Sequence, residues 1–135
     1  MNRQDLKNYR YTQEWIKDRM QYIEEYKTSI TNITTVLSDM PKGSRKVEDS
    51  IAEKIAILLD DVNDILKVIV DLEKRQTAIL EQIEKVEQPY RLILEKAYIQ
   101  GKTLVTVASE MDYSYERMKH MNGIALLKFD EVDTK

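Results

Sequence analysis

Apolar residues recur along this chain at helical intervals, and the longest such series lies in its middle. Ile51, Leu58, Ile65, Leu72, Ile79 and Val86 follow one another every seven residues. Ile55, Val62, Ile69 and Ile83 fall four residues after members of that series, and Gln76 stands at the one place where the pattern calls for another apolar side chain. A seven-residue apolar repeat sustained this long predicts a helix that packs like a coiled coil. It covers residues 47–87, about 60 Å at ~1.5 Å per residue. A second stripe runs through residues 2–39. Tyr9, Ile16, Ile23, Ile30 and Leu37 stand at seven-residue steps, with Met20, Tyr26 and Ile33 between them. This predicts a helix of about 55 Å by the same rise. Thr28, Ser29, Thr31, Asn32, Thr34 and Thr35 lower helix propensity towards its end, where fraying or a kink is expected. Residues 40–46 separate the two stripes. Pro41 and Gly43 break any helix, and Lys42, Arg45 and Lys46 make the segment a mobile basic loop. Two helices of similar length on a short loop predict an antiparallel hairpin. Leu59, Leu66, Val70 and Leu80 lie off the main seam, and a two-helix hairpin leaves them uncovered. A second protomer, or the C-terminal part folding back, is expected to cover them.

The pattern shortens and breaks after residue 88. Pro89 suits the start of a helix, because its missing N–H has no partner there in any case. Leu92, Ile93, Lys96 and Ala97 follow at helical spacing, and Gly101 ends that helix. Thr103 is placed to cap a second helix that carries Leu104, Val105, Val107, Ala108 and Met111. Asp112, Tyr113 and Ser114 form a short break, and a third helix runs from about residue 115 to 129. Ser114 caps it, but Arg117 stands where a full capping box has Glu or Gln. Met111 of the second helix and Met118 and Leu126 of the third fit the inward face, and Ala108 is the small residue where the two helices cross closely. A short helix, a tight turn and a longer helix make a helix-turn-helix. The fold class expected is therefore all-α: a long antiparallel helical hairpin over residues 1–88, used for oligomerisation or partner docking, followed by a small helix-turn-helix unit over residues 89–135.

Charge divides the chain unevenly. The whole carries a net charge of −3, which predicts no strong general affinity for nucleic acid. Residues 1–46 hold nine basic against six acidic side chains, residues 47–88 five against eleven, and residues 89–135 seven against seven. The middle is therefore expected to stay off phosphate. Asp60, Asp61 and Asp64, and Glu81, Glu84 and Glu87, read as a solvated acidic face rather than a metal site, since the only histidine, His120, is remote from both. No cysteine is present, which removes disulfides, zinc fingers and thiol nucleophiles and suits a reducing cytoplasm. No apolar run is long enough to span a membrane, and the first residues are too polar for a signal peptide. PKGSRK lacks the spacing of a phosphate-binding loop and no strand precedes it. With the usual nucleophile, base and metal constellations missing, no enzyme activity and no cofactor are expected.

Two places carry chemistry suited to DNA. Tyr9, Arg10, Tyr11 and Trp15 interleave aromatic and basic character, as base-stacking surfaces do. They also share the core stripe, and packing around a snorkelled arginine is the preferred reading. The second place is the start of the last helix. A helix-turn-helix sends the N-terminal residues of its second helix into the major groove. Here those residues are Ser114, Tyr115, Glu116, Arg117, Lys119 and His120. Arg117 can fork onto guanine, Glu116 can accept from cytosine, Ser114 or Tyr115 can hold phosphate, and Lys119 suits either phosphate or guanine. His120 reads first as a solvated surface residue. Gly123 inside this helix costs about 1 kcal/mol relative to alanine. A unit of zero net charge binds DNA weakly as a single copy, so an oligomer is expected.

The run YRLILEKAYIQGKTLVTVASEMDYSYERMK resembles region 4 of sigma-70-type factors. It has an aromatic-bearing lead helix, a Gly-Lys-Thr step, an apolar helix ending in Ala-x-Glu-Met, and a Ser-initiated helix ending in Met-Lys. The layout as a whole resembles small regulators of Gram-positive phages: the RinA- and ArpU-type late-gene activators and related short phage proteins with a domain of unknown function. This resemblance implies a promoter-binding transcription regulator of phage or prophage origin, cytoplasmic and nucleoid-associated, that takes double-stranded DNA as its partner. It also makes RNA polymerase, or a phage or host regulator, a candidate protein partner. The residues matching the recognition helix are Ser114, Tyr115, Glu116, Arg117 and Lys119. The alternative reading is a helical protein-interaction module that binds a repressor, polymerase or other phage protein and whose helix-turn-helix is structural.

Overall fold

The structure, a computed structural model, describes residues 1–39 and 45–132, and of Leu37 and Asp39 the backbone alone. Residues 40–44 of the expected loop lie outside the described residues. The described chain is all-helical. α1 is Arg3–Lys7, α2 Tyr9–Asp39, α3 Arg45–Glu84, α4 Tyr90–Leu94, α5 Leu104–Glu110 and α6 Tyr115–Val132, and a π-helical turn, Glu95–Ile99, continues α4. Among the described residues no helix is long and apolar enough to cross a membrane.

The first stripe is divided where one helix was expected. Asn2 caps α1 by accepting from the Asp5 N–H, and the Asp5 carboxylate accepts from the Asn2 N–H in return. That capping box fixes a short turn of helix that ends at Asn8, and α2 starts immediately after it. Along α2 the hydroxyls do not break the helix. Thr28, Ser29, Thr31, Thr34, Thr35 and Ser38 each donate to the carbonyl four residues back, at 2.8–3.2 Å. Donors that would compete with the backbone are thereby absorbed within the helix.

The chain forms two compact units. One comprises residues 15–72. Its core is Ile16 and Ile23 of α2 with Ile69 and Leu72 of α3, and Val62 and Ile65 pack against them. All six are members of the predicted seams. Met20 departs from expectation: it is exposed.

The other unit combines residues 1–14 with the chain from residue 73 onward. Its core joins Leu6 and Tyr9 with Ile79, Ile83 and Val86 of the α3 end and with Ile93, Leu94, Val107, Met118 and Phe129. The compact unit around α4–α6 thus reaches back beyond residue 89, because three short helices alone have too few apolar side chains to close a core. Gln82 is the buried polar residue at its centre. Its amide donates to the carbonyls of Met1 (2.8 Å) and Phe129 (2.7 Å), so the buried group and two chain-end carbonyls satisfy one another. Arg3 adds a second tie, its N–H and Nε both reaching the Asp130 carboxylate, at 2.8 and 2.7 Å. Gln76 donates to the Tyr9 carbonyl at 3.4 Å, which pairs the start of α2 with the late part of α3.

Candidate nucleic-acid interface

The turns that aim α6 are built from local rules. Gly101, at φ +73°, ends the helical run from Tyr90 in the left-handed region, as expected of it. The preceding π-turn was not legible in the spacing: Gln100 N–H reaches Glu95 and Lys102 N–H reaches Lys96, both wider than α-helical closure. A Cβ on Gly101 would overlap the Arg10 side chain, whose Nη1 donates to the Ile99 carbonyl at 3.3 Å. Arg10 is therefore committed to this corner. Thr103 caps α5, accepting from the Thr106 N–H at 3.2 Å. Asp112, at φ +57°, takes the left-handed position after α5. The Tyr113 N–H closes onto Ala108 at 2.9 Å and the Asp112 N–H onto Ser109 at 3.4 Å, the paired pattern of a Schellman stop. Ser114 then caps α6, accepting from the Arg117 N–H at 3.1 Å.

Below this corner the inward side of α6 is buried: Met118, Met121, Ala125, Leu126 and Phe129 are core, and Val107 and Ala108 of α5 are buried with them. Burial of Met118 turns its neighbours outward. Ser114, Tyr115, Glu116, Arg117, Lys119 and His120 are all exposed, and together they form one surface at the start of α6.

That surface is internally organised. The Arg117 guanidinium lies over the Tyr113 ring, 4.4 Å from its centre. Lys119 lies 4.9 Å over the Tyr115 ring and 3.3 Å from the Glu116 carboxylate. Such contacts hold long side chains in few rotamers at a cost to ligand binding of about 0.5–1 kcal/mol each. Tyr113 was not among the expected site residues. Its spacing of four to Arg117, which repeats in Tyr115 and Lys119, is the signal that marks it.

No protein-family model, curated protein or solved structure matches the chain. What the surface can do therefore follows from its own chemistry. Arg117 has no acidic partner among the described residues, whereas other cations of the unit are engaged. Lys102 (2.7 Å) and Lys96 (3.3 Å) both hold Glu110. The hydrogen bond from Lys102, reinforced by Lys96, keeps the Glu110 carboxyl below its ordinary range. Lys128 pairs with Glu87 at 2.7 Å, and that bond raises the Lys128 ammonium above its ordinary value. Lys119 is paired as well, with Glu116 at 3.3 Å, so among the described residues the unpaired positive charge at the start of α6 is that of Arg117.

The aromatic-basic cluster near the N-terminus divides differently from expectation. Tyr9 is core at 5% exposure, but Tyr11 (76%) and Trp15 (46%) are exposed. They sit two and six residues past Tyr9, on the side of α2 away from the Ile16–Ile23 line. Arg19 lies over both Trp15 (6.0 Å) and Tyr22 (5.2 Å), so Trp15 packs on a cation and not into the core. Asp60 and Asp64 are exposed, as a solvated acidic face requires.

Gly123 faces open space, and a Cβ there would meet nothing within 4 Å. We expect Gly123→Ala to stabilise the protein by about 1 kcal/mol, since only helix propensity changes. Urea unfolding checks this. A loss of stability would show that a Cβ at this position meets a neighbour in the folded protein.

Proposed function

We propose that the protein is a DNA-binding transcription regulator of phage or prophage origin, which binds promoter DNA through the helix-turn-helix formed by α5 and α6 and acts as an oligomer. The observation that carries this reading is the exposed cluster at the start of α6, held by the Asp112 turn and the Ser114 cap over a fully buried opposite face. A rigid, capped helix end with a forked cation is the geometry that major-groove reading needs. Arg117 is the guanine reader, Glu116 the cytosine acceptor, Ser114 and Tyr115 hold phosphate, and Lys119 and His120 extend the contact along the backbone. The resemblance to sigma-70 region 4 and to phage late-gene regulators supports the promoter as target and RNA polymerase as a protein partner.

The test is salt dependence of binding to duplexes selected from a random pool. Each phosphate neutralised adds about 0.9 to the slope of log K against log salt. Two copies making two or three such contacts each give a slope of about −4 to −5, and the selected sequences carry paired half-sites one helical turn apart or a multiple of it. No enrichment at low salt, or binding indifferent to salt, overturns the reading.

A second reading, the helical interaction module, is favoured by the uncovered apolar side chains Leu59, Leu66 and Val70. On that reading a partner protein is retained when Arg117 and Lys119 are both changed to alanine.

A further inference from the structure

α3 carries a second apolar seam besides the one that packs on α2. Positions 52, 56, 59, 63, 66, 70, 73, 77 and 80 follow one another in strictly alternating steps of four and three. This is the spacing of a coiled-coil contact line, displaced by one position from the buried seam. Every position on it is exposed, including Leu59, Leu66 and Val70. Apolar residues concentrate at its centre, around Asn63. Unpartnered aliphatic side chains in coiled-coil register mark a helix-pairing face.

The charged row beside this seam identifies the partner. Lys46, Glu53, Asp60, Lys67, Lys74 and Glu81 stand at seven-residue steps along one edge of it. All six are exposed, and none is ion-paired among the described residues. Read in the two directions, the row is its own electrostatic complement. If a second α3 runs antiparallel about a two-fold axis between Asn63 and Asp64, Lys46 meets Glu81, Glu53 meets Lys74, and Asp60 meets Lys67. Each of these pairs occurs twice. In an antiparallel pair the same edge of each helix faces its counterpart, so the row confronts itself. The matching seam contacts in this register are Leu59 with Val70 and Asn63 with Leu66 of the other copy.

Neighbouring registers fail. A slip of one heptad in one direction sets Asp60 against Asp60 and Lys46 against Lys74. A slip in the other sets Lys67 against Lys67 and Glu53 against Glu81. Each slipped register keeps one kind of opposite pair, Glu53 with Lys67 or Asp60 with Lys74, but like charges directly opposed outnumber it, which is how natural pairing faces select a register. The C-terminal helices do not compete for this face, because their core is already closed by Leu6, Tyr9, Ile79, Ile83 and Val86.

We propose that the protein is a homodimer in which the second seams of two α3 helices pair antiparallel, centred between Asn63 and Asp64 and registered by the Asp60–Lys67, Glu53–Lys74 and Lys46–Glu81 pairs. The proposal takes from the proposed function only its need for a second copy. It requires no DNA binding.

Sedimentation equilibrium of the full chain tests it by charge exchange. The wild type is a dimer. Asp60→Lys alone and Lys67→Glu alone each put two like-charged pairs at the centre and weaken the dimer roughly tenfold. The double variant Asp60→Lys/Lys67→Glu recreates two opposite pairs and returns the dissociation constant to within about threefold of wild type. Circular dichroism confirms helix content, since both sites are exposed. The orientation is read separately. The chain has no cysteine, so a single nitroxide at Glu53→Cys reports one distance. An antiparallel pair puts the two labels about 30–35 Å apart, a parallel one about 10–15 Å. A monomeric wild type, single variants without effect, a double variant as weak as the singles combined, or the short distance each overturns the proposal. Loss of DNA binding with the dimer intact would overturn the proposed function instead and leave this inference standing.

Discussion

Phe129→Ala lowers the unfolding free energy by about 3–5 kcal/mol, a large part of the ~5–15 kcal/mol that holds a domain of this size together. Phe129 is wholly buried in the cluster that joins Leu6 and Tyr9 at the N-terminus, Ile79 and Ile83 on α3, and Ile93 and Leu94 on α4. Removing the ring leaves a cavity bordered by several separate helices. These cannot all move inward, because the Gln82 amide ties the Phe129 carbonyl to that of Met1 and Arg3 is tied to Asp130. Little relaxation is available, so the cost falls at the upper end of large-to-small core substitutions. Urea unfolding measures it, with the midpoint shifted and the slope unchanged. A loss below about 1 kcal/mol would show that this core collapses freely or is not the one that sets stability.

On the proposed DNA-binding reading, changing Arg117 and Lys119 together to alanine is expected to reduce DNA affinity by about 30- to 1,000-fold, or about 2–4 kcal/mol. Both side chains are exposed and neither is part of the core, so stability stays within about 0.5 kcal/mol of wild type. The two single variants separate their roles. Arg117→Ala relaxes discrimination at one base pair, because a forked guanidinium reads guanine N7 and O6 together. Lys119→Ala weakens all sequences alike and lowers the salt slope by about 1 for each copy bound. Fluorescence anisotropy on one selected duplex across a salt series distinguishes these outcomes. A double variant that binds within threefold of wild type would remove the start of α6 from the interface.

The elements themselves were legible because their causes are local. The apolar repeat that places Ile16, Ile23, Ile69 and Leu72 in one cluster is written in the seven-residue spacing. Thr103 and Ser114 cap because a hydroxyl at that position reaches an N–H three residues on. Gly101 takes a positive φ because it alone has no Cβ to oppose it. Asp112 takes one as well, which the short polar side chain of Asp permits. The candidate surface was read in the same way, as the polar start of a helix whose Met118 and Leu126 face inward, while the burial of Met121 came from the structure.

What the spacing could not decide is which element covers which face. Tyr9, Tyr11 and Trp15 look equivalent along the chain, yet only Tyr9 meets the second cluster. Arg10 reads as a snorkelled arginine beside aromatic residues, and only the fold shows that it closes over Gly101, far along the chain. Gln82 has no signature in the spacing, and only the fold brings two remote carbonyls onto it. The sequence by itself determined the two long helices and the turns at Gly101 and Asp112, because dihedral preferences and apolar periodicity act within a turn or two, but not the break at Asn8 or the π-turn after α4. The tertiary structure decided that the first fourteen residues and the end of α3 complete the core beneath α6. Only long-range contacts, which carry no periodic signature, determine which of several apolar surfaces loses its water.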